Sequence, residues 1–304
     1  MISILPLLFL YSIFASTLSI GKLALVFGPP ALFVGLRMVI AGIALLSLAA
    51  YRFGMQGLLV KRQDFSTFFL MAFVGIFLVY VPDFWALPHV PIVSAALLYA
   101  LAPFFSALLG HFKEVEVITK TKLLGLIIGF AGLLPIIVQS CRSEGITQCL
   151  QFGFYELVIL ISVAFYAYNW LLVKPLMRAG VYSNEIINGW PMLFGGILSL
   201  VWSYAVEGPT YFSMPVASAW APFLAYALLI CVVGTSCYVF YSSLLKKYSA
   251  TLIAFFGFTE PLFGAAYGYI FNHETPHFVF FIASVIICIG LYLFYQDELK
   301  ESLT

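Results

Sequence analysis

Three charged side chains stand inside stretches that are otherwise apolar. Glu260 lies in the run 250–271, about ten residues from either end. A carboxylate there is costly in a low-dielectric setting, so it must be matched by a positive charge or protonated. It can pair with a cationic ligand or carry a proton. It can equally cap backbone amides freed near Pro261 or pair with a neighbouring helix. Arg37 lies in the run 31–51. Its guanidinium can receive a carboxylate or gate a mouth, or its stem can snorkel to an interface or pair with an acid such as Asp83. Asp83, near the end of the run 66–86, offers a second acid or a plain helix-end residue. Lys22 and Glu156 sit at run ends, where Glu156 suits a helix N-terminus.

Aromatic and amide side chains accompany these charges. Phe256, Phe263 and Tyr267 stand at helical spacings from Glu260 and are expected on its face or margin. Tyr99 precedes Ala102 and Pro103 by about one turn. Asn169 lies mid-way along the run 154–174 among Tyr166, Tyr168 and Trp170. Such a set suits a flat ring carrying or neighbouring a positive charge. With 31 Phe, 18 Tyr and 5 Trp in the chain, most aromatics must instead serve packing. No catalytic motif and no metal-ligand cluster is found, since His89, His111, His273 and His277 stand singly at run ends. No cofactor is implied.

The elements that must position these residues follow from composition. Of 304 residues, 63% are hydrophobic and 9% charged, with 14 basic and 13 acidic side chains. A soluble domain carries about 25% charged residues, so this chain could not cover its surface in water. Disorder needs the opposite composition, and near-neutral charge argues against a nucleic-acid partner. About 20 apolar residues cross a bilayer as a helix. Ten such runs occur, at about 4–24, 31–51, 66–86, 91–111, 121–139, 154–174, 186–206, 219–241, 250–271 and 277–296. They lack the alternation of barrel strands. The first run lacks a basic n-region and a clean cleavage site, so it is expected as a retained helix.

Basic residues gather in the loops after runs 2, 4, 6 and 8: Arg52, Lys61, Arg62, Lys113, Lys120, Lys122, Lys174, Arg178, Lys246 and Lys247, with Lys300 in the tail. The opposite loops hold Arg142, with Lys22 near an edge. This bias places both termini in the cytoplasm. The pairs Gly125/Gly129 and Gly264/Gly268 allow close helix approach, within the chain or in a homodimer. Cys141 and Cys149 share one outer loop, where a disulfide is open to them.

The chain also repeats itself. "APFFSALLGHFKEVE" (102–116) and "EPLFGAAYGYIFNHE" (260–274) share anchors at one offset. Pro103 and Pro261, Glu116 and Glu274, and Gly132 and Gly290 are each 158 residues apart. The two copies would run in opposite senses across the membrane. The expected fold is therefore all-α and integral to the membrane, with ten transmembrane helices in two inverted five-helix repeats. The repeats are 1–139 and 154–296, joined by an outer loop 140–153 and followed by a tail 297–304. Secondary transporters are often built this way, with the substrate at midplane.

These stretches resemble the EamA branch of the drug/metabolite transporter superfamily. Its signature, a proline in helices 4 and 9 with a glutamate thirteen residues on, occurs twice. "FWALPHVPIVSAALLYALAPFFSALL" (84–109) and 259–274 carry the resemblance best. It implies an inner-membrane carrier for a small-molecule substrate, with a cavity lined by helices 1–4 and 6–9. Pro103 and Pro261 would break their helices. The residue texture also resembles the S-adenosylmethionine/S-adenosylhomocysteine transporters of obligate intracellular bacteria, which implies uptake by exchange. Glu260 without a basic residue beside it disfavours an anionic sugar phosphate and favours a zwitterion or cation. Export of amino acids or drugs stays open, and a membrane enzyme is disfavoured for want of a motif.

Overall fold

The computed structural model describes residues 4–90, 95, 98–113, 118–144, 153–208, 217–260, 262, 263, 266 and 278–303. Among these the regular structure is helical throughout. The segments are α1 (Leu5–Ala24), α2 (Pro30–Phe53), α3 (Phe65–His89), α4 (Ala102–Phe112), α5 (Lys120–Glu144), α6 (Phe154–Ala179), α7 (Asn184–Glu207), α8 (Ala217–Leu244), α9 (Ala250–Thr259) and α10 (Phe278–Leu303). Five of the described helices are long and apolar enough to cross a membrane: α2, α3, α6, α7 and, over Trp220–Leu244, α8. Chain contacts divide the molecule into two compact units.

One unit comprises 1–16, 90–167 and 247–304. Its seam is α5 against α10, and it is built on glycine. A Cβ placed on Gly290 would stand 2.5 Å from the Gly129 nitrogen and 2.7 Å from the Gly125 oxygen. No side chain can enter there, because the obstruction is backbone. Phe294 closes over the seam from α10, and Phe255 and Phe258 of α9 lie over Gly129. The Gly125/Gly129 face is thus engaged within the chain, while Gly264 and Gly268 lie outside the described residues. Thr119 Oγ1 donates to Asp297, tying the start of α5 to α10. Leu98 and Tyr99 are helical, a turn intervenes at 100–101, and α4 resumes with Pro103 in its first turn, where its missing N–H costs nothing.

The other unit comprises 17–89 and 168–246. Here α2 packs along α7, and each end of the pair is tied by a glutamate of α7. At one end Arg52 Nη1 meets Glu185 Oε1 at 2.7 Å. At the other, Glu207 accepts from the Ala31 and Leu32 amides at 2.9 and 3.3 Å, and from Ser203 Oγ at 2.6 Å. The start of α2 is Pro29-Pro30, which offers no side-chain cap, so Glu207 meets its open amides and its positive dipole end. Tyr182 donates to Asp64 Oδ2 at 2.6 Å and accepts from the Lys61 amide at 3.0 Å. Burial, and then the bond to Asp64, hold its phenol above the ordinary range.

Six of the basic residues counted above in the loops after runs 2, 4, 6 and 8 or in the tail lie within helices, Arg52 in α2, Lys120 and Lys122 in α5, Lys174 and Arg178 in α6 and Lys300 in α10, and two of them are buried. Lys174 lies within α6, which continues through Pro175 to Ala179, and it is 2% exposed. Lys122 lies in the first turn of α5, equally buried, with its ammonium 5.8 Å from the Phe294 ring. Both remain close to helix ends, where the charge rule still counts them.

Candidate functional site

Arg37 enters the helix core because α2 is apolar on every side there, leaving its long side chain no aqueous face. It is 6% exposed. Its guanidinium carbon sits 4.6 Å from the centre of the Tyr80 ring, 4.7 Å from Phe84 and 5.7 Å from Phe33. Phe33 precedes Arg37 by one turn of α2, and Tyr80 and Phe84 are one turn apart on α3. Three rings therefore surround the cation with their negative faces. Asp83, between those two α3 residues, is 9% exposed and close enough to act on Arg37 electrostatically. Two guanidinium donors, Nε and Nη2, are buried with no hydrogen-bond partner among the described residues.

Those two donors are the pair whose N–H bonds run parallel along one side of the guanidinium. That spacing matches the two oxygens of a carboxylate. A buried donor left unmet carries a desolvation cost, and native proteins rarely retain two on one group. The arrangement presents two open, parallel donors within a wall of aromatic rings.

A polar line leads away from it. Tyr80 hydrogen-bonds Tyr238, and the Tyr238 hydroxyl donates to the Gly75 carbonyl at 3.4 Å. Gly75 lies inside a π-helical stretch of α3, Met71–Leu78, whose wider turns alter the carbonyl pattern. Asn169 of α6 fits against that glycine: a Cβ on Gly75 would fall 2.0 Å from Asn169 Oδ1. Trp170, next in sequence, stacks on Tyr241 with ring centres 3.9 Å apart and 16° between planes, and lies 4.7 Å from Tyr238. All of these residues belong to one compact unit.

The remaining candidates lie in the other unit. Glu260 follows a 3₁₀ turn, Phe256–Thr259, and is half-buried. Phe256 is 1% exposed, and Phe263 and Tyr99 are half-buried. The 3.6-residue period that puts Phe256 on the face of Glu260 does not run through a turn of about three residues per turn. Pro261, Tyr267 and Cys149 lie outside the described residues, and Cys141 falls in the last turn of α5 rather than in the loop. Glu156 accepts from the Gly153 amide at 2.9 Å, the N-terminal role its position suggests.

Arg37, Asp83 and Asn169 were legible as polar residues in apolar runs. Their setting was legible only in Trp170, beside Asn169 in the chain; Tyr80, Phe84, Gly75 and Tyr238 reach the site from two other helices.

The fold is helical, and five of its described helices are long and apolar enough to cross a membrane. The chain belongs to the EamA-like transporter family, whose model matches residues 1–138 and 153–296. It is a membrane-embedded, multi-pass transporter and not an enzyme. It is 26% identical over 292 residues to a S-adenosylmethionine/S-adenosylhomocysteine transporter of Chlamydia trachomatis serovar L2, covering 95% of this chain and 88% of that one. A transporter of the same description from Chlamydia muridarum is 27% identical, at 95% and 90% coverage. The uncharacterized transporter YetK of Bacillus subtilis is 25% identical over 283 residues, at 93% and 83%. A solved structure superposes with a TM-score of 0.70 at 20% identity, over 97% of this chain and 96% of its own, a likeness of fold.

Proposed function

We propose that this chain is a secondary carrier for a small zwitterionic or cationic metabolite. Within that class we favour S-adenosylmethionine taken up in exchange for S-adenosylhomocysteine. The observation that carries the reading is the buried Arg37 with its side-on donor pair unmet. The substrate carboxylate takes Nε and Nη2, and its positive part lies toward Asp83. Tyr80, Phe84 and Phe33 offer ring faces to a cationic or flat body. A doubly charged sugar phosphate would leave one charge unmatched against a single guanidinium. The description carried by the two chlamydial relatives supports the same choice.

In this reading all ten helices cross the inner membrane as two inverted repeats, 1–139 and 154–296, with both termini cytoplasmic. Three residue pairs 158 apart and the loop charges support it. Glu260, in the other unit, is a second charge-handling group, for a proton or a cation. Proteoliposomes loaded with S-adenosylhomocysteine test the substrate. External labelled S-adenosylmethionine should enter saturably, faster than into empty vesicles, with unlabelled S-adenosylhomocysteine competing and adenosine monophosphate failing to compete. Competition by leucine or tryptophan but not by S-adenosylhomocysteine would return the chain to the amino-acid carriers.

A further inference from the structure

The polar line described above ends in two unmet groups of opposite kind. At one end are the Arg37 donors, and at the other is Asn169 Oδ1, a buried acceptor with no hydrogen-bond partner among the described residues. Asn169 is 2% exposed. We propose that Asn169 reads the ring of the substrate by accepting a hydrogen bond from an exocyclic amine. This rests on the carboxylate reading of Arg37.

A ligand completing both ends must present an acceptor pair at Arg37 and an N–H at Asn169. The α-ammonium of an amino-acid group cannot be that N–H. It is bonded to the carbon bearing the carboxylate and stays at the Arg37 end, where Asp83 stands. The far donor must come from the body of the ligand. A flat body is what the intervening residues suit, since the rings of Tyr80, Tyr238 and Trp170 pack in succession, with centres 6.2 and 4.7 Å apart. A 6-aminopurine linked to an amino acid meets all three demands. Gly75 completes the reader: its missing side chain is the space the carboxamide occupies, and its carbonyl is engaged by the Tyr238 hydroxyl. Asn169 is thus held in place by a glycine in the π-helical stretch, with its oxygen unspent.

The test uses the full chain in proteoliposomes, with S-adenosylhomocysteine and S-inosylhomocysteine competing against labelled S-adenosylmethionine. The two competitors differ in a 6-amino against a 6-oxo group, a donor against an acceptor. The unmodified chain should prefer the amino compound by about tenfold or more, because the oxo group sets two acceptors face to face. Asn169→Leu should bring that ratio close to one, and Asn169→Asp, still an acceptor, should keep it. Gly75→Ala should collapse the ratio as Asn169→Leu does, by driving a methyl into the carboxamide. If Asn169→Leu fails to insert, Asn169→Ala against Asn169→Asp makes the same comparison. A ratio of one or below in the unmodified chain, or an unchanged ratio in well-folded Asn169→Leu or Asn169→Ala, would overturn the proposal and leave Arg37 as the carboxylate site. Failure of the unmodified chain to take up S-adenosylmethionine at all would overturn both.

Discussion

Replacing Arg37 by methionine separates what this residue does for ligand from what it does for the fold. An arginine at the centre of a membrane helix costs about 2.5–3.5 kcal/mol on the insertion scale. Each desolvated ring face returns roughly 2 kcal/mol, and two rings lie at 4.6 and 4.7 Å. The third, at 5.7 Å, adds less. Gain therefore exceeds cost by about 0.5–1.5 kcal/mol before the third ring is counted. Methionine fills much of the same volume and keeps contact with the rings through its sulfur. The thermal midpoint of Arg37→Met in detergent should stay within a few degrees of the parent. Binding should not: a hydrogen bond to a charged group is worth about 1.5–3 kcal/mol, so affinity for labelled S-adenosylmethionine should fall roughly 10- to 150-fold. Arg37→Lys keeps the charge but offers one compact ammonium in place of a fork, and should fall between the two. Scintillation-proximity binding and a melting curve on the same preparations decide the matter. A loss of affinity below threefold, or a collapse of the melting midpoint with binding intact per folded molecule, would refute the assignment.

Glu260→Gln should retain its fold and lose transport if Glu260 handles charge. Loss of gradient-driven accumulation with exchange preserved would mark a proton carrier, and normal binding, uptake and exchange would exclude both functional roles. Gly290→Ala should destabilise the first-described unit by about 1–3 kcal/mol, since its methyl would meet the backbone of Gly129 and Gly125, and melting curves measure it. Normal stability there would mean that α5 and α10 can part without cost. Reporter fusions at Lys61, Arg178 and Lys300 should report cytoplasm, and one within 142–150 the opposite side. A cytoplasmic 142–150 would overturn the topology and the inverted repeat together.

How much of this could be read from sequence depends on the range of the interaction. Apolar runs made the helices legible, because a span is a local property of about 20 residues. Arg37 and Asn169 stood out for the same reason, as polar groups in apolar surroundings. The cage around Arg37 did not, because Phe33, Tyr80 and Phe84 look like any of the chain's 31 Phe and 18 Tyr until two helices are brought together. Nor did the cap on α2, where Glu207 meets amides some 175 residues earlier in the chain. The π-helical stretch at Met71–Leu78 carries no mark in a run of apolar residues. It is recognisable only by what lies against it, Asn169 on Gly75.

The glycine seam between α5 and α10 also bears on how the protein is made. Its two faces are synthesised far apart in time, because Gly290 emerges long after Gly125 and Gly129. At about 5–20 residues per second, α5 waits roughly 10–30 s before its partner exists. During that interval a strip of bare backbone is open to whatever helix comes past. Synthesis order thus makes this strip the place where a nascent chain is most open to a wrong neighbour, and where a chaperone or insertase has most to protect.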